Sequence, residues 1–328
     1  MPIISLSGLI APTQRPFINN HAARAEAELR VLCTKLGILQ PNFDEYNTMS
    51  AFLFPYADFP RLRAIGLYNN LLYFVDDTFD RHKSDSQHDK AQLATLFETA
   101  TIMLVDEREV PVSNPIIDTI AEIRRYLIQY APTEAWYSRF AKNTIEHLLS
   151  SLQEVNHELP PYTNSWFDHY NQIRDLDSGM APTTDLIEFA LGHEISHDVY
   201  YHEIVAEARL YVTRYCSLSN DIFSYDKEVS LGSDFNAIVM LQRDGYTFEN
   251  AIEYLIDQLN QMINGFKRIY AYLRSEQSYT SVTNEMLEYM DCLWYQMIAA
   301  YHWQFSTNRY RSEDSSFVEL QNVLSYSN

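Results

Sequence analysis

The chain has 328 residues, 46% of them hydrophobic, so it can bury a sizeable core, yet 44 acidic side chains against 24 basic ones leave a net charge of −20. That balance opposes nucleic acid and anionic membranes as partners, because both need a basic face. With only 8 glycines, the composition also argues against a sheet-rich fold and against a Gly-rich nucleotide loop.

Residues 1–20 hold Pro2, Pro12 and Pro16 and little periodicity, so an extended N-terminal strap is expected there. From about Ala22, helically spaced segments follow one another between short breaks at 40–42, 54–60, 84–89, 111–115, Pro132, 160–161, 177–182, 231–234 and 243–245. None of these breaks has the length of an interdomain linker, and no repeat of fixed period is present. The expectation is one all-α domain over residues 21–311, with ten or more helices and a polar C-terminal tail over 312–328. Met1 to Ser5 lacks the cationic start of a leader, and no apolar run reaches the ~18 residues of a membrane span. Cys33, Cys216 and Cys292 suit neither a disulfide framework nor a zinc spacing, which points to a reducing, cytoplasmic location.

Two segments carry chemistry. The first is a helix from Leu62 to Val75 that runs into Asp76-Asp77-Thr78-Phe79-Asp80. Asp76 and Asp80, four apart, share a helix face, with Asp77 offset by about 100°. The helical pattern dissolves after Arg81, so these carboxylates sit near the negative end of a helix dipole, where a cation is the favoured neighbour. Magnesium fits, since it takes one or two carboxylates together with waters and phosphate oxygens. The competing reading is a solvated acidic helix end, neutralised by Arg81 and Lys83.

The second segment is a helix from about Ile204 that leads into Asn220-Asp221-Ile222-Phe223-Ser224-Tyr225-Asp226-Lys227-Glu228 and stops at Ser230-Leu231-Gly232. Asn220, Ser224 and Glu228 recur every four residues, so an amide oxygen, a hydroxyl and a carboxylate form one stripe of hard donors. The alternative is a capped, solvated helix end with Glu228 or Asp226 paired to Lys227.

From about Asn42 to Tyr310 the chain resembles the microbial class I terpene synthases. Asp76-Asp77-Thr78-Phe79-Asp80 is similar to their aspartate-rich motif, and Asn220 to Glu228 resembles their Asn/Ser/Glu magnesium motif, with Lys227 beside the glutamate. Phe54-Pro55 and Arg61-Leu62-Arg63 resemble the aromatic-Pro step and Arg-rich helix start that precede the aspartates. Arg174 stands where the family places its diphosphate sensor. Asp177 is similar to the linker, and Ser178 or Gly179 to the effector at a helix break. Arg309-Tyr310, six positions after Trp303, resembles the closing Arg-Tyr pair, and Asn236 to Val239 with the 245–251 turn also matches. One departure is Tyr68, near a position where the family often carries Trp.

The resemblance implies a class I terpenoid synthase fold around a central cavity. It implies a terpene cyclase that ionises a linear prenyl diphosphate, farnesyl ahead of geranylgeranyl, with three magnesium ions. Asp76 and Asp80, with Asp77 beside them, would hold two ions, and Asn220, Ser224 and Glu228 the third. Arg174, Lys227, Arg309 and Tyr310 would donate to the diphosphate, and Phe54, Tyr73, Phe74 and Trp303 would offer aromatic faces to the cation. Closure of the loops after Arg81 and Ser230, and of the C-terminal tail, would exclude water. A homodimer is left open.

Three other readings compete. A prenyl chain-elongating transferase on the same fold normally carries two Asp-rich motifs, whereas the second here is Asn/Ser/Glu. A helical scaffold without catalysis would leave both stripes facing solvent. His193-Glu194-Ile195-Ser196-His197 fits the zinc-protease pattern, in which two histidines one helical turn apart hold zinc and the glutamate acts as base. No third ligand stands at the expected spacing, so paired or solvent-facing histidines at a helix junction are preferred there.

Overall fold

Helix boundaries follow the caps and breakers written into the chain. The computed structural model describes residues 3–13, 15–82, 87–105, 108, 114–150, 152, 159–275 and 281–321. Side chains at 79–82, 87–90, 92, 281 and 283 lie outside that description. In chain order the helices are α1 (Ala22–Leu36), α2 (Phe43–Leu53), α3 (Phe59–His82), α4 (Gln87–Leu104), α5 (Pro115–Tyr130), α6 (Glu134–Ser150) and α7 (Trp166–Asp177). They continue with α8 (Met180–Leu191), α9 (His197–Tyr200), α10 (Glu203–Ser230), α11 (Ala237–Arg243), α12 (Phe248–Arg274) and α13 (Ser281–Ser306). Among the described residues there is no strand, only an isolated bridge between Ile4 and Phe317. The protein is all-α.

Backbone contacts divide the chain into two compact units. One comprises Phe17–Glu154 and Leu176–Ile195. There α3 packs against α1, α2, α5 and α8, and α6 packs against α8 and α4. Its aromatic centre is Trp136, fully buried between Phe140 and Phe189 with both ring centroids 5.4 Å away. The Trp136 indole donates to the Asp185 carbonyl at 2.7 Å, so its one polar atom is satisfied in the core.

The other unit comprises Met1–Pro16, Val155–Asp175 and Ser196–Asn328. Its axis is α10, which packs against α12 and α13. On α12 the residues Ala251, Ile252, Leu255, Leu259, Ile263 and Phe266 are all buried, the i, i+3, i+4 stripe of an amphipathic helix. Gly265 lets α12 approach α10 closely, since a Cβ there would stand 2.7 Å from the Tyr211 ring. Caps start these helices: the Thr247 hydroxyl accepts from the Asn250 amide at 3.2 Å, and the His202 ring from the Ile204 amide at 3.3 Å.

Two local expectations need correction. The break predicted over 177–182 is only Ser178-Gly179, because Pro182 sits in the first turn of α8, where its missing N–H costs no helical bond. Residues 312–321 are also not a free polar tail. Phe317 and Leu320 are fully buried, the Ile4 amide donates to the Ser316 carbonyl at 2.8 Å, and the Val318 amide donates to the Ile4 carbonyl at 2.9 Å. Residues 322–328 and 83–86, and with them part of the break expected at 84–89, lie outside the described residues.

Candidate active site

The end of α10 gathers the predicted residues of its unit. Asn220, Ser224 and Glu228 lie on one stripe, and each is engaged. The Arg174 guanidinium donates to Asn220 Oδ1 at 3.2 Å and pairs with the Asp221 carboxylate at 2.8 Å. Asn220 Nδ2 donates to the Tyr310 hydroxyl at 2.7 Å. Ser224 Oγ donates to the Asn220 carbonyl at 2.8 Å. Glu228 Oε2 accepts from Asn236 Nδ2 at 2.9 Å. The structure therefore brings together Arg174, Asn220, Ser224, Glu228 and Tyr310, from α7, α10 and the segment after α13.

Three further residues complete this cluster and escaped sequence reasoning as site residues. Asp221 is 1% exposed and accepts from the Tyr170 hydroxyl at 2.6 Å as well as from Arg174. Asn236, fully buried, links Glu228 to the Asp221 carbonyl at 2.7 Å. Tyr170, also fully buried, reaches the cluster across 51 positions of sequence. Periodicity cannot reveal such long-range partners.

The electrostatics are lopsided. Asp221 and Glu228 place two carboxylates beside the single Arg174 guanidinium. Desolvation, followed by the charge of Asp221, raises the Glu228 carboxyl to about 7. Burial likewise raises Asp221, with Arg174 opposing. A divalent cation would offset this excess negative charge, and an amide oxygen, a hydroxyl and a carboxylate are the hard donors it prefers. The donor set fits magnesium.

The other predicted residues fall as follows. Lys227 is half-buried, and its carbonyl accepts from Ser230 Oγ at 2.7 Å. Arg309 places its guanidinium 6.0 Å from the Tyr310 ring centroid. Trp303 is 2% exposed and meets Tyr310 edge-on, with centroids 5.8 Å apart. On α3, Asp76 is exposed, whereas Asp77 Oδ2 accepts from Gln40 Nε2 at 2.9 Å and from the Tyr46 hydroxyl at 3.2 Å. The Asp80 side chain lies outside the described residues. Tyr73 stacks on Tyr46 at 3.9 Å, Phe74 is half-buried, and Phe54 is 1% exposed. Asp177 ends α7, the Ser178 hydroxyl accepts from the Met180 amide at 3.2 Å, and Gly179 takes the left-handed φ of 67° at the start of α8. That φ strains any side chain, so a glycine is required there.

The zinc-protease reading fails. Gly192, with φ of 81°, ends α8, and Ser196 precedes α9, so His193 and His197 do not share a helical turn. Glu194 accepts from the Thr133 hydroxyl and lies 3.7 Å from Arg139, while the His197 side chain is 83% exposed. Among the described residues no three His, Cys, Asp or Glu side chains are grouped to hold an ion. The α10 stripe instead combines one carboxylate, Glu228, with the amide of Asn220 and the hydroxyl of Ser224. Cys33, Cys216 and Cys292 are buried and form no disulfide, and no helix among the described residues is long and apolar enough to cross a membrane.

Residues 68–265 match the family described as terpene synthase family 2, C-terminal metal binding. Alpha-muurolene synthase of Coprinopsis cinerea is 24% identical over 84% of this chain, which spans 64% of that protein's length. Terpene cyclase 4 of Gibberella fujikuroi is also 24% identical, over 84% of this chain and 74% of its own. Among solved structures, linalool/nerolidol synthase from Streptomyces clavuligerus in complex with 2-fluorogeranyl diphosphate superposes with a TM-score of 0.75 at 18% identity. That likeness covers 92% of this chain and 99% of the other, and it shows a shared fold.

Proposed function

This chain belongs to terpene synthase family 2, one of the class I terpene synthases, and from that premise we propose a magnesium-dependent terpene cyclase acting in the cytoplasm. Its substrate is a linear prenyl diphosphate, with farnesyl diphosphate ahead of geranylgeranyl diphosphate. The observation that carries the reading is the α10 stripe, where Asn220, Ser224 and Glu228 lie beside Arg174 and Tyr310 in an oxygen-rich, overly acidic setting. The named ligand of the Streptomyces clavuligerus enzyme, a prenyl diphosphate analogue, supports the same substrate class.

In this reading Asn220, Ser224 and Glu228 would hold one of three ions, and Asp76 and Asp80, with Asp77 beside them, would hold the others. Bound magnesium supplies the positive charge that stabilises diphosphate as a leaving group. Arg174, Lys227, Arg309 and Tyr310 donate charge-assisted hydrogen bonds to diphosphate oxygens. Asp177, Ser178 and Gly179 shape the α7–α8 break, where a backbone carbonyl faces the substrate. Phe54, Tyr73, Phe74 and Trp303 offer π faces that attract the carbocation without trapping it. No protein nucleophile is required.

The deciding experiment incubates pure protein and magnesium with the C10, C15 and C20 diphosphates and analyses extracts by gas chromatography–mass spectrometry. A cyclic hydrocarbon or alcohol from the C15 substrate is expected. Longer linear diphosphates, formed only with added isopentenyl diphosphate, would instead establish the chain-elongating transferase.

A further inference from the structure

We propose that Asn236 is a positioning residue for the cation site on α10, fixing the Glu228 carboxylate while it caps α11. The proposal rests on the cyclase reading, in which Glu228 is a metal ligand. Asn236 is 0% exposed, and every bond it makes is defined. Its Oδ1 accepts from the Ile238 amide at 2.9 Å, which starts α11. Its two Nδ2 hydrogens go to the Asp221 carbonyl at 2.7 Å and to Glu228 Oε2 at 2.9 Å. The opposite amide orientation would set its oxygen against two acceptors, so these partners fix its direction.

The chemistry of the residue matters as much as its place. Asp221 and Glu228 lie seven positions apart, about two turns of α10, and one amide nitrogen spans them. Glu228 is thereby tied to the backbone of its own helix, and its carboxylate loses the freedom to swing. A lysine or arginine could make the same bond but would neutralise the charge that a cation needs. An amide donates without adding charge, so it orients the ligand and leaves its attraction for magnesium intact.

Capping and tethering can be separated. Asn236→Ser keeps a neutral cap oxygen for the Ile238 amide but is too short, and lacks the second hydrogen, to bridge Asp221 and Glu228. The test measures Mn2+ binding by electron paramagnetic resonance, in the presence of inorganic diphosphate, for wild type and the variant. Product formation against magnesium concentration is followed in parallel. The expected result is a still cooperative unfolding transition lowered by a few degrees, Mn2+ affinity at least tenfold weaker, and an apparent KM for magnesium raised by a similar factor. The kcat at saturating magnesium should be largely kept. Should the serine variant not fold, Asn236→Asp carries the comparison, since it caps equally well but turns an acceptor toward Glu228 and should weaken Mn2+ binding further. Unchanged Mn2+ affinity in whichever variant folds overturns the role of Asn236 alone. Wild type that binds no Mn2+ with diphosphate overturns the cation site itself.

Discussion

Each unit of the protein sets a half-buried guanidinium against buried carboxylates, and the two clusters differ in what surrounds them. In one, Arg139 on α6 pairs with Asp185 at 3.0 Å and with Glu188 on α8, and both acids are 0% exposed. Their remaining oxygens meet N–H donors: Asn143 Nδ2 reaches Asp185 at 2.6 Å, and the Ile195 amide reaches Glu188 at 2.9 Å. In the other, Arg174 pairs with Asp221, and around it stand Asn220 Oδ1, Ser224 Oγ and the Glu228 carboxylate. Buried charge alone therefore does not mark a site. Both clusters hold more carboxylates than guanidinium, and what the second adds is an amide oxygen, Asn220 Oδ1, and a hydroxyl, Ser224 Oγ, on the same helix stripe as Glu228, hard donors that a cation can use.

The most forceful way to break this contrast is Arg139→Ala. Two carboxylates would remain buried without their cation, a loss of about 3–5 kcal/mol, read as a lowered midpoint in urea unfolding. An Arg139→Ala protein that unfolds like wild type but forms no product would make that cluster a second functional centre and end the distinction. Glu228→Ala should behave in the reverse way. It removes one of two like charges, so the fold should hold, while product formation falls on the order of 100-fold or more, comparable to deleting one transition-state stabiliser. Full turnover in that variant would remove the α10 stripe from the reaction.

What the chain disclosed in advance was local. Breakers such as Leu231-Gly232, and the four-residue spacing of Asn220, Ser224 and Glu228, depend on neighbours along one helix, and that is the information a single sequence holds. The ring of partners around them does not. Tyr170 and Asp221 lie 51 positions apart, and Asn236 meets Glu228 only because the loop after Gly232 turns back. Polar composition also concealed the anchoring of residues 312–321, where Asp226 accepts from the Ser315 hydroxyl at 2.8 Å and from the Ser316 amide and hydroxyl at 2.8 and 2.7 Å. The string His193 to His197, read from the sequence as histidines at a helix junction, fits the zinc pattern only in letters, because that pattern presumes a helix and Gly192 ends it.

Proton linkage sharpens the comparison further. Burial raises the Glu188 carboxyl from its ordinary value to about 7, with Arg139 opposing. Between about 4.5 and 7 the folded state therefore holds a proton that the unfolded chain has released. Stability falls as pH rises through that window, and above 7 the loss is complete. Its size is on the order of 3 kcal/mol. Glu228 adds a slope of the same sign, so the Glu188 contribution is isolated by subtracting urea unfolding curves of Glu188→Gln from wild type at pH 5, 6, 7 and 8. The wild-type curve should fall more steeply toward pH 8 than that of the variant, and parallel curves would place the proton elsewhere.

The smallest expected effect separates the two surroundings most finely. Tyr170→Phe removes the hydroxyl that donates to Asp221 at 2.6 Å, and Asn143→Ala removes the amide that donates to Asp185 at 2.6 Å. Each lost bond involves a charged acceptor and should cost about 1.5 kcal/mol in the absence of metal. Magnesium with diphosphate should then divide the pair. A cation bound at the α10 stripe compensates Asp221 electrostatically, so the Tyr170→Phe deficit should shrink when both ligands are added, while the Asn143→Ala deficit stays as it was. Thermal unfolding of the two variants with and without the ligands measures this directly. Equal recovery in both would mean that the added ions act through general screening rather than through one oxygen-lined cluster.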